Sequence, residues 1–417
     1  MSAVLFRNFS YVTLSQAANY LIPLITIPYI SRVVGVEKFG SLEFSYTIVL
    51  YFIQLVEYSF DITATRRMAV ISENKVLVSR LFSAVFWSKA LLWLLSTLIF
   101  GMLLLVSETL RPYLAPLVCY YFITTAFMLS QNWFYQGLQK LGIVALSSVG
   151  FKLIFALLLF VLVRKESDYY LVALSTTAGY VIVSIVTFLY SFKLMPGLRV
   201  YFPGFRLLIK NLKNGFYVFA AGMANKFYGL SGMYWAGMLL SGVELGRFSA
   251  AHKLYLVIQS ILFYPVHMTL LPHLSKKLKE GLEQYRRSLF RFLKWILAAT
   301  IAAVLAIFTI SPWIVRLLFG AEFSGTHVIF NLFLPSLVFA VFINLFVYQA
   351  FIQLKRDDLH LKAHLVMVVI SIVGNYWAIR YFDAPGGAGF RSLMDAVYVA
   401  LAWWWLKGAF TKASSPS

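Results

Sequence analysis

Charge is scarce in this sequence: Asp, Glu, Lys and Arg make up 12% of its 417 residues, about half the share found in a soluble domain. With 61% hydrophobic residues and a mean hydropathy of +0.79, that excludes an ordinary water-soluble globule. Cysteine is scarcer still. Cys119, the one cysteine, rules out a disulfide within the chain and has no set of fellow metal ligands. The motifs that carry chemistry are missing as well. There is no phosphate-cradling glycine loop, zinc-type His/Glu pattern or nucleophile elbow, so neither an enzyme nor a cofactor is expected. The N-terminus lacks a short apolar stretch followed by a small-residue cleavage site. Its first hydrophobic run begins near Ser10 and reads as an uncleaved first helix.

What the chain does have is long apolar runs. Those able to cross about 30 Å of hydrocarbon fall near 10–34, 40–64, 81–106, 112–135, 142–163, 170–192, 213–240, 246–271, 289–311, 326–351, 360–382 and 386–407. The fold class expected is therefore an all-α, multi-pass integral membrane protein with 12 transmembrane helices. A net charge of +20 invites a nucleic-acid reading, but the placement of the charge argues against one. Roughly two thirds of the 36 Lys and Arg lie in the even-numbered connections and the two termini, the positive-inside pattern. Examples are Arg66, Arg67, Lys75 and Arg80 after the second run, and Lys276, Lys277, Lys279, Arg286 and Arg287 after the eighth. Both termini are expected to be cytoplasmic, with the basic loops against anionic lipid and no nucleic-acid partner.

Pro196, Gly197, Pro203 and Gly204 interrupt a basic stretch at mid-chain. The expected organisation is an N-terminal six-helix lobe over 1–192, a cytoplasmic inter-lobe linker over 193–212 and a C-terminal six-helix lobe over 213–417. Gly35-Val36-Glu37-Lys38-Phe39-Gly40 and Gly242-Val243-Glu244-Leu245-Gly246 occupy like places in the two halves, and each is soon followed by Phe-Ser. That favours a 6+6 pseudo-repeat, an arrangement that places binding between the halves. The opening span of each half carries breakers: Pro23 and Pro28 in one, Gly222, Gly229, Gly232 and Gly237 in the other. These mark either a transport pathway or close helix packing. Between Pro272 and Trp295, apolar residues at helical spacing predict an amphipathic surface helix. Trp133, Tyr135, Trp313 and Trp403-Trp404-Trp405 sit near span ends, where interfacial belts are expected.

The charges inside the spans need an explanation. Lys89, Lys152, Lys226 and Lys253 lie within apolar runs, and an ionised group at the bilayer centre costs about 2.5–3.5 kcal/mol on insertion scales. Four together approach roughly 10–14 kcal/mol, comparable with the whole stability of a domain. They are expected either to line a central hydrated, cationic cavity that receives an anion or to pair with buried acids. Glu43, Glu57 and Asp61 fall within about 40° on a continuous helical wheel. Such a stripe either couples transport to H⁺ or Na⁺ or neutralises Lys89, Arg66 and Arg67; Glu57, Asp61 and Arg66 are the candidates. Asp395 is a single buried acid, and His252 and His267 read as helix-packing residues rather than metal ligands.

Residues 8–89 carry Asn19-Tyr20-Leu21-Ile22-Pro23-Leu24, Pro28-Tyr29-Ile30-Ser31-Arg32-Val33-Val34-Gly35, Phe39-Gly40, Tyr51-Phe52, Ala64-Thr65-Arg66-Arg67 and Lys89. Asn132-Trp133-Phe134-Tyr135-Gln136-Gly137 and Lys152 follow. In these stretches the chain resembles Wzx-type O-antigen and polysaccharide repeat-unit flippases of the multidrug/oligosaccharidyl-lipid/polysaccharide exporter superfamily. Glu43 stands where that family more usually has a small residue. The resemblance implies a flippase in the bacterial inner membrane. It would move undecaprenyl-diphosphate-linked oligosaccharide from the cytoplasmic to the periplasmic leaflet by alternating access. A diphosphate needs cationic, hydrated surroundings, which Arg32, Lys89, Lys152, Lys226 and Lys253 can supply. The implied partners are that polyprenyl-linked oligosaccharide, membrane lipids, a polysaccharide polymerase and a chain-length regulator.

Two other readings stay open. A multidrug or cation antiporter of the same superfamily would favour acids over lysines in its cavity. A membrane polysaccharide polymerase or acyltransferase would be expected to carry a large external loop, and no external connection reaches twenty residues.

Overall fold

A computed structural model describes the backbone of residues 3–414 apart from 352 and 355. Side chains are described except at 1–14, 17, 264, 265, 267–269, 271, 272, 352, 355, 357 and 409–417, so His267 lies outside the described residues. Thirteen α-helices follow one another, with no strand among the described residues. They are α1 (Ala3–Glu57), α2 (Phe60–Ile71), α3 (Lys75–Val106), α4 (Leu114–Tyr121), α5 (Ile123–Leu129), α6 (Asn132–Gly137), α7 (Leu141–Leu162), α8 (Tyr169–Leu194), α9 (Phe205–Leu239), α10 (Gly242–Glu280), α11 (Leu282–Phe319), α12 (Thr326–Ile343) and α13 (Asp357–Ser414). A π-helical turn, Asn344–Phe351, extends α12. Among the described residues, eight helical stretches are long and apolar enough to cross a membrane. The chain divides into two compact units, residues 1–223 and 224–417.

α3 shows which solvent the fold is built for. Its exposed face carries Leu94, Leu98, Ile99, Met102 and Leu105, while Ser83, Ser88, Lys89 and Ser96 are buried. A helix in water does the reverse. Here lipid takes the leucines, and protein supplies the partners that hydrocarbon cannot. Asn74 starts the helix, its side chain accepting from the backbone N–H of Val76 and Leu77, both at 3.1 Å. That satisfies two of the donors every helix start leaves open.

Breaks in the helices fall at glycine or at a polar or aromatic residue, not at proline. α1 runs on through Pro23 and Pro28 and breaks at Gly35, where φ is 73°. α13 breaks at Asp383, with φ 52°. The single surface helix expected between Pro272 and Trp295 does not form. Gly281, at φ 134°, separates the end of α10 from the start of α11, a backbone conformation that a side chain would resist.

In the first unit, α2, α3 and α6 enclose a cluster of Phe60, Met68, Val78, Phe82, Trp133, Phe134 and Tyr135. Trp133 and Tyr135 are 1% and 0% exposed, so the expectation of an interfacial belt fails for them. The Trp133 indole donates to Gln131 at 2.9 Å, and the Tyr135 hydroxyl donates to the Thr187 carbonyl. Their polar handles have found protein partners, so water at the interface is not needed. Trp313 and Trp404 do lie exposed. In the second unit, α12 packs against α10, α11 and α13.

Candidate transport site

Of the lysines singled out, Lys89 is the deepest, at 2% exposed. Its ammonium donates to the carbonyls of Phe127 and Ser130, both at 3.1 Å. These carbonyls lie at the C-terminal end of α5, where backbone acceptors lack helical partners and a cation is favoured. Two of the three ammonium donors thus close a helix end, a contact that neither expectation for Lys89 described.

Lys152 differs. It lies mid-way along α7 in a half-buried position. Ala145 and Leu159, each seven residues away and therefore on nearly the same face, are 5% and 0% exposed. Leu146, Leu153, Leu157 and Val161 line the exposed face instead. The ammonium sits 5.3 Å from the centroid of Phe151, whose ring stacks on Tyr180 at 4.1 Å. Among the described residues it has no hydrogen bond or ion pair. Gly179 brings α8 against the α7 backbone here; a Cβ added to it would meet the Phe155 nitrogen at 3.3 Å. Lys152 is thus an inward-facing cation that a phenyl ring only partly compensates.

Lys226 on α9 and Lys253 on α10 are half-buried residues of the second unit, and Arg32 is an exposed residue of the first.

The acidic stripe is interrupted. α1 ends at Glu57, Tyr58 takes φ 56°, and α2 begins at Phe60. The wheel that aligned Glu43, Glu57 and Asp61 assumed one continuous helix, so it does not carry across the break. Glu57 and Asp61 both still bear electrostatically on Lys89, as the charge-neutralising alternative expects. Asp61 lies exposed in the first turn of α2, where it accepts from the Ile62 N–H at 2.9 Å. Arg66 is exposed too. Gln54 braces the break by donating to the Tyr58 carbonyl at 3.0 Å. The Tyr58 ring stacks on Phe219 at 4.4 Å, and its hydroxyl donates to Leu212.

Glycines of α9 serve close approach in at least two places. A Cβ at Gly222 would lie 3.0 Å from the Gln54 amide, and one at Gly232 would lie 3.2 Å from Asn375 Oδ1. Gly229 has nothing within 4 Å.

The most elaborate polar group was only half seen in the sequence. Asp395 is 0% exposed. Oδ1 accepts from the Tyr228 hydroxyl, and Oδ2 accepts from the Ser336 hydroxyl and, at 3.2 Å, from Arg391 Nε. Arg391 spreads over the Tyr228 ring at 4.7 Å and points toward the Tyr228 carbonyl at 3.5 Å. Tyr255 pairs with Ser336 at 2.8 Å, and Gln259 donates to Tyr255 at 3.1 Å. Asp395 is expected from the sequence as a single buried acid, and Arg391 is not among the candidates. The available signal was an Arg and an Asp four residues apart inside one apolar run, a helix-face pair. His252 packs among Phe248, Tyr255 and Phe333. No cluster of metal-binding side chains occurs among the described residues.

The sequence profile of a family described as polysaccharide biosynthesis protein matches residues 5–278. Two similar proteins, from Escherichia coli K12 and Shigella dysenteriae, are each named "Putative O-antigen transporter". Identity to the first is 29% over 277 residues, 65% of this chain and 65% of that protein, so the matched part spans a little under two thirds of it. Identity to the second is 23% over 384 residues, 91% of this chain and 94% of that protein. The fold is similar to that of "Lipid II flippase MurJ" in an inward closed conformation, with a TM-score of 0.79 at 16% identity over 97% of this chain and 90% of that one. An inward-facing multidrug resistance MATE family transporter gives a TM-score of 0.72 at 13% identity over 94% and 96%. At such identities the likeness is one of fold.

Proposed function

Because the chain belongs to the polysaccharide biosynthesis protein family, we propose that it is a flippase for a polyprenyl-diphosphate-linked oligosaccharide, an O-antigen or related repeat unit. It carries that lipid from the cytoplasmic to the periplasmic leaflet of a bacterial inner membrane. The observation that carries the reading is Lys152, an ammonium on the inward face of a membrane helix with an aromatic ring as its neighbour and no acid bound to it. A cation held that way has unused electrostatic capacity, which a diphosphate would take up. Twelve spans in a 6+6 arrangement, with both termini cytoplasmic, fit the reading. Two of the eight apolar stretches, Ala18–Ile71 and Asp358–Gly408, run to 54 and 51 residues, more than twice the ~20 needed to cross once, which allows ten crossings. α9 and α10, at 35 and 39 residues, would supply the other two. Arg32, Lys226 and Lys253 serve the same anion at other stages, and a polymerase and chain-length regulator act downstream. The antiporter alternative is disfavoured by the same lysine, which would repel a cationic drug.

The test is genetic. Lys152→Ala is expected to abolish surface polysaccharide at an unchanged protein level, with lipid-linked repeat units accumulating on the cytoplasmic leaflet, while Lys152→Arg retains partial export. Normal polysaccharide in the alanine variant would remove Lys152 from the mechanism.

A further inference from the structure

In the first unit the start of α9 lies against α2 and α3, and several bonds keep it there. Ser83 Oγ donates to the Arg199 carbonyl and accepts from the Tyr201 N–H, both at 3.1 Å, and Ser79 Oγ accepts from the Arg199 N–H at 3.2 Å. Further along, the Tyr58 hydroxyl donates to the Leu212 carbonyl. Gly215 lets the helix close on Ser59, whose Oγ an added Cβ would strike. Phe205, Ile209 and Phe216 share an exposed face of α9, with Tyr201 and Phe202 exposed just before it. Arg206, Lys210 and Lys213 are exposed as well. Exposed aromatic and basic residues side by side on one helix belong at the depth of lipid headgroups.

The three helices enclose a cavity there, with Phe60, Leu81 and Val85 as its apolar wall and Arg67, Asn211 and Asn214 as its polar one. Its enclosed part, about 10 Å³, has room for one water-sized group; with the open mouth the space reaches about 230 Å³. Asn211 is 7% exposed. Its Oδ1 accepts from Arg67 Nη1 at 2.9 Å. A guanidinium has donors only, so this bond fixes which way the amide turns. Nδ2 is left buried and without a hydrogen-bond partner among the described residues, a costly condition for a donor out of water. Arg67 has no ion pair among the described residues. The cavity therefore suits an acceptor that is narrow at its tip and negatively charged. A water would serve Asn211 and leave Arg67 uncompensated. A phosphate serves both, and lipid phosphate is the anion found at headgroup depth.

We propose that this cavity between α2, α3 and α9 is a binding site for the phosphate of an anionic lipid, in the leaflet that these basic residues face. One phosphate oxygen enters and accepts from Asn211 Nδ2, and a second pairs with Arg67 at the mouth, a charge-assisted contact. Asn214 reaches the same headgroup from the rim, and the acyl chains lie along the exposed aromatic face of α9. Basic loops attract anionic lipid diffusely; here two named side chains make a defined site. The bound lipid ties the start of α9 to α2, across the same seam that the Tyr58 hydroxyl closes. The site does not depend on what the protein transports.

Native mass spectrometry of the full-length protein, titrated with phosphatidylglycerol, tests this. Asn211→Asp keeps the size of the side chain and its contact with Arg67, but puts a negatively charged acceptor where the donor was. It is expected to weaken phosphatidylglycerol binding at least about tenfold, the worth of one charge-assisted hydrogen bond. Arg67→Gln is expected to lose a similar amount. Arg66→Gln removes the same charge about 100° round the helix and should stay within about twofold of wild type. Thermal unfolding with and without the lipid gives a second readout and shows that each variant folds: phosphatidylglycerol should raise the melting temperature of wild type and Arg66→Gln, and leave the other two unmoved. Equal binding of phosphatidylcholine and phosphatidylglycerol by wild type, or phosphatidylglycerol binding retained by both Asn211→Asp and Arg67→Gln, overturns the proposal and leaves the cavity to a water. Displacement of phosphatidylglycerol by an equal concentration of inorganic phosphate would make the ligand a free anion and overturn the lipid assignment.

Discussion

The two units treat a buried cation in opposite ways. In residues 1–223, Lys89 is satisfied by two backbone carbonyls; in residues 224–417, Arg391 is satisfied by a carboxylate. The carbonyls are neutral dipoles at a helix end, whereas the carboxylate is an opposite charge buried beside the guanidinium. The same kind of group is held by dipoles in one unit and by an ion pair in the other, and the partner decides what its removal costs.

The contrast can be broken most forcefully at the ion pair. Asp395→Asn alone strands a buried guanidinium, a loss of about 3–5 kcal/mol by the behaviour of broken buried pairs. Adding Arg391→Gln is expected to recover much of that loss, and thermal unfolding of the single and double variants measures the difference. If the double variant is no more stable than the single, the pair is not coupled as described.

At the helix end, Lys89→Ala orphans two buried carbonyls at about 1–3 kcal/mol for each unsatisfied group. Lower protein level and melting temperature are expected, in contrast to Lys152→Ala, which leaves both unchanged and removes only export. Equal stability of the two alanine variants would erase the distinction between a structural and a functional lysine. Asn74→Ala, which removes the cap of α3, is expected to cost about 1 kcal/mol with transport intact.

The smallest effect lies at the end of α10. There Lys277 donates to Glu280 at 2.6 Å and holds its carboxyl below the usual glutamate range. A depressed carboxyl favours the fold above the unfolded glutamate pKa, about 4.3, and the contribution fades as pH falls through the lower folded value. Hydrogen exchange at the α10 terminus should therefore quicken in acid, and Lys277→Gln should remove that dependence.

Much of this was legible beforehand. The apolar runs announced an all-helical membrane protein, and the oddity of lysine in hydrocarbon picked out Lys89 and Lys152. Where inference failed, it assumed local regularity. The 14- and 18-residue spacings from Glu43 were read on one helix, but Tyr58 adopts a left-handed backbone that composition does not announce. Pro23 and Pro28 looked like breakers, yet the chain turned at Gly35. Trp133 and Tyr135 near a span end looked interfacial, because nothing local shows that α2 and α3 cover them. Arg391 is not among the candidates, although it lies four residues from Asp395 inside the final apolar run. Tyr228 and Ser336, which bond to Arg391 and Asp395, are 163 and 59 residues distant from them respectively, beyond the reach of any sequence window.

The inverted face of α3 also bears on how the protein is made. Phe127 and Ser130, which receive the Lys89 ammonium, come 38 and 41 residues later in the chain. At translation rates of about 5–20 residues per second, the helix waits on the order of seconds for them. During that interval its lysine must be carried by the leucines of the opposite face or sheltered by the insertion machinery. A chain stalled or cut before Ser130 would leave a helix with an orphaned charge in the bilayer, an obvious mark for quality-control proteases.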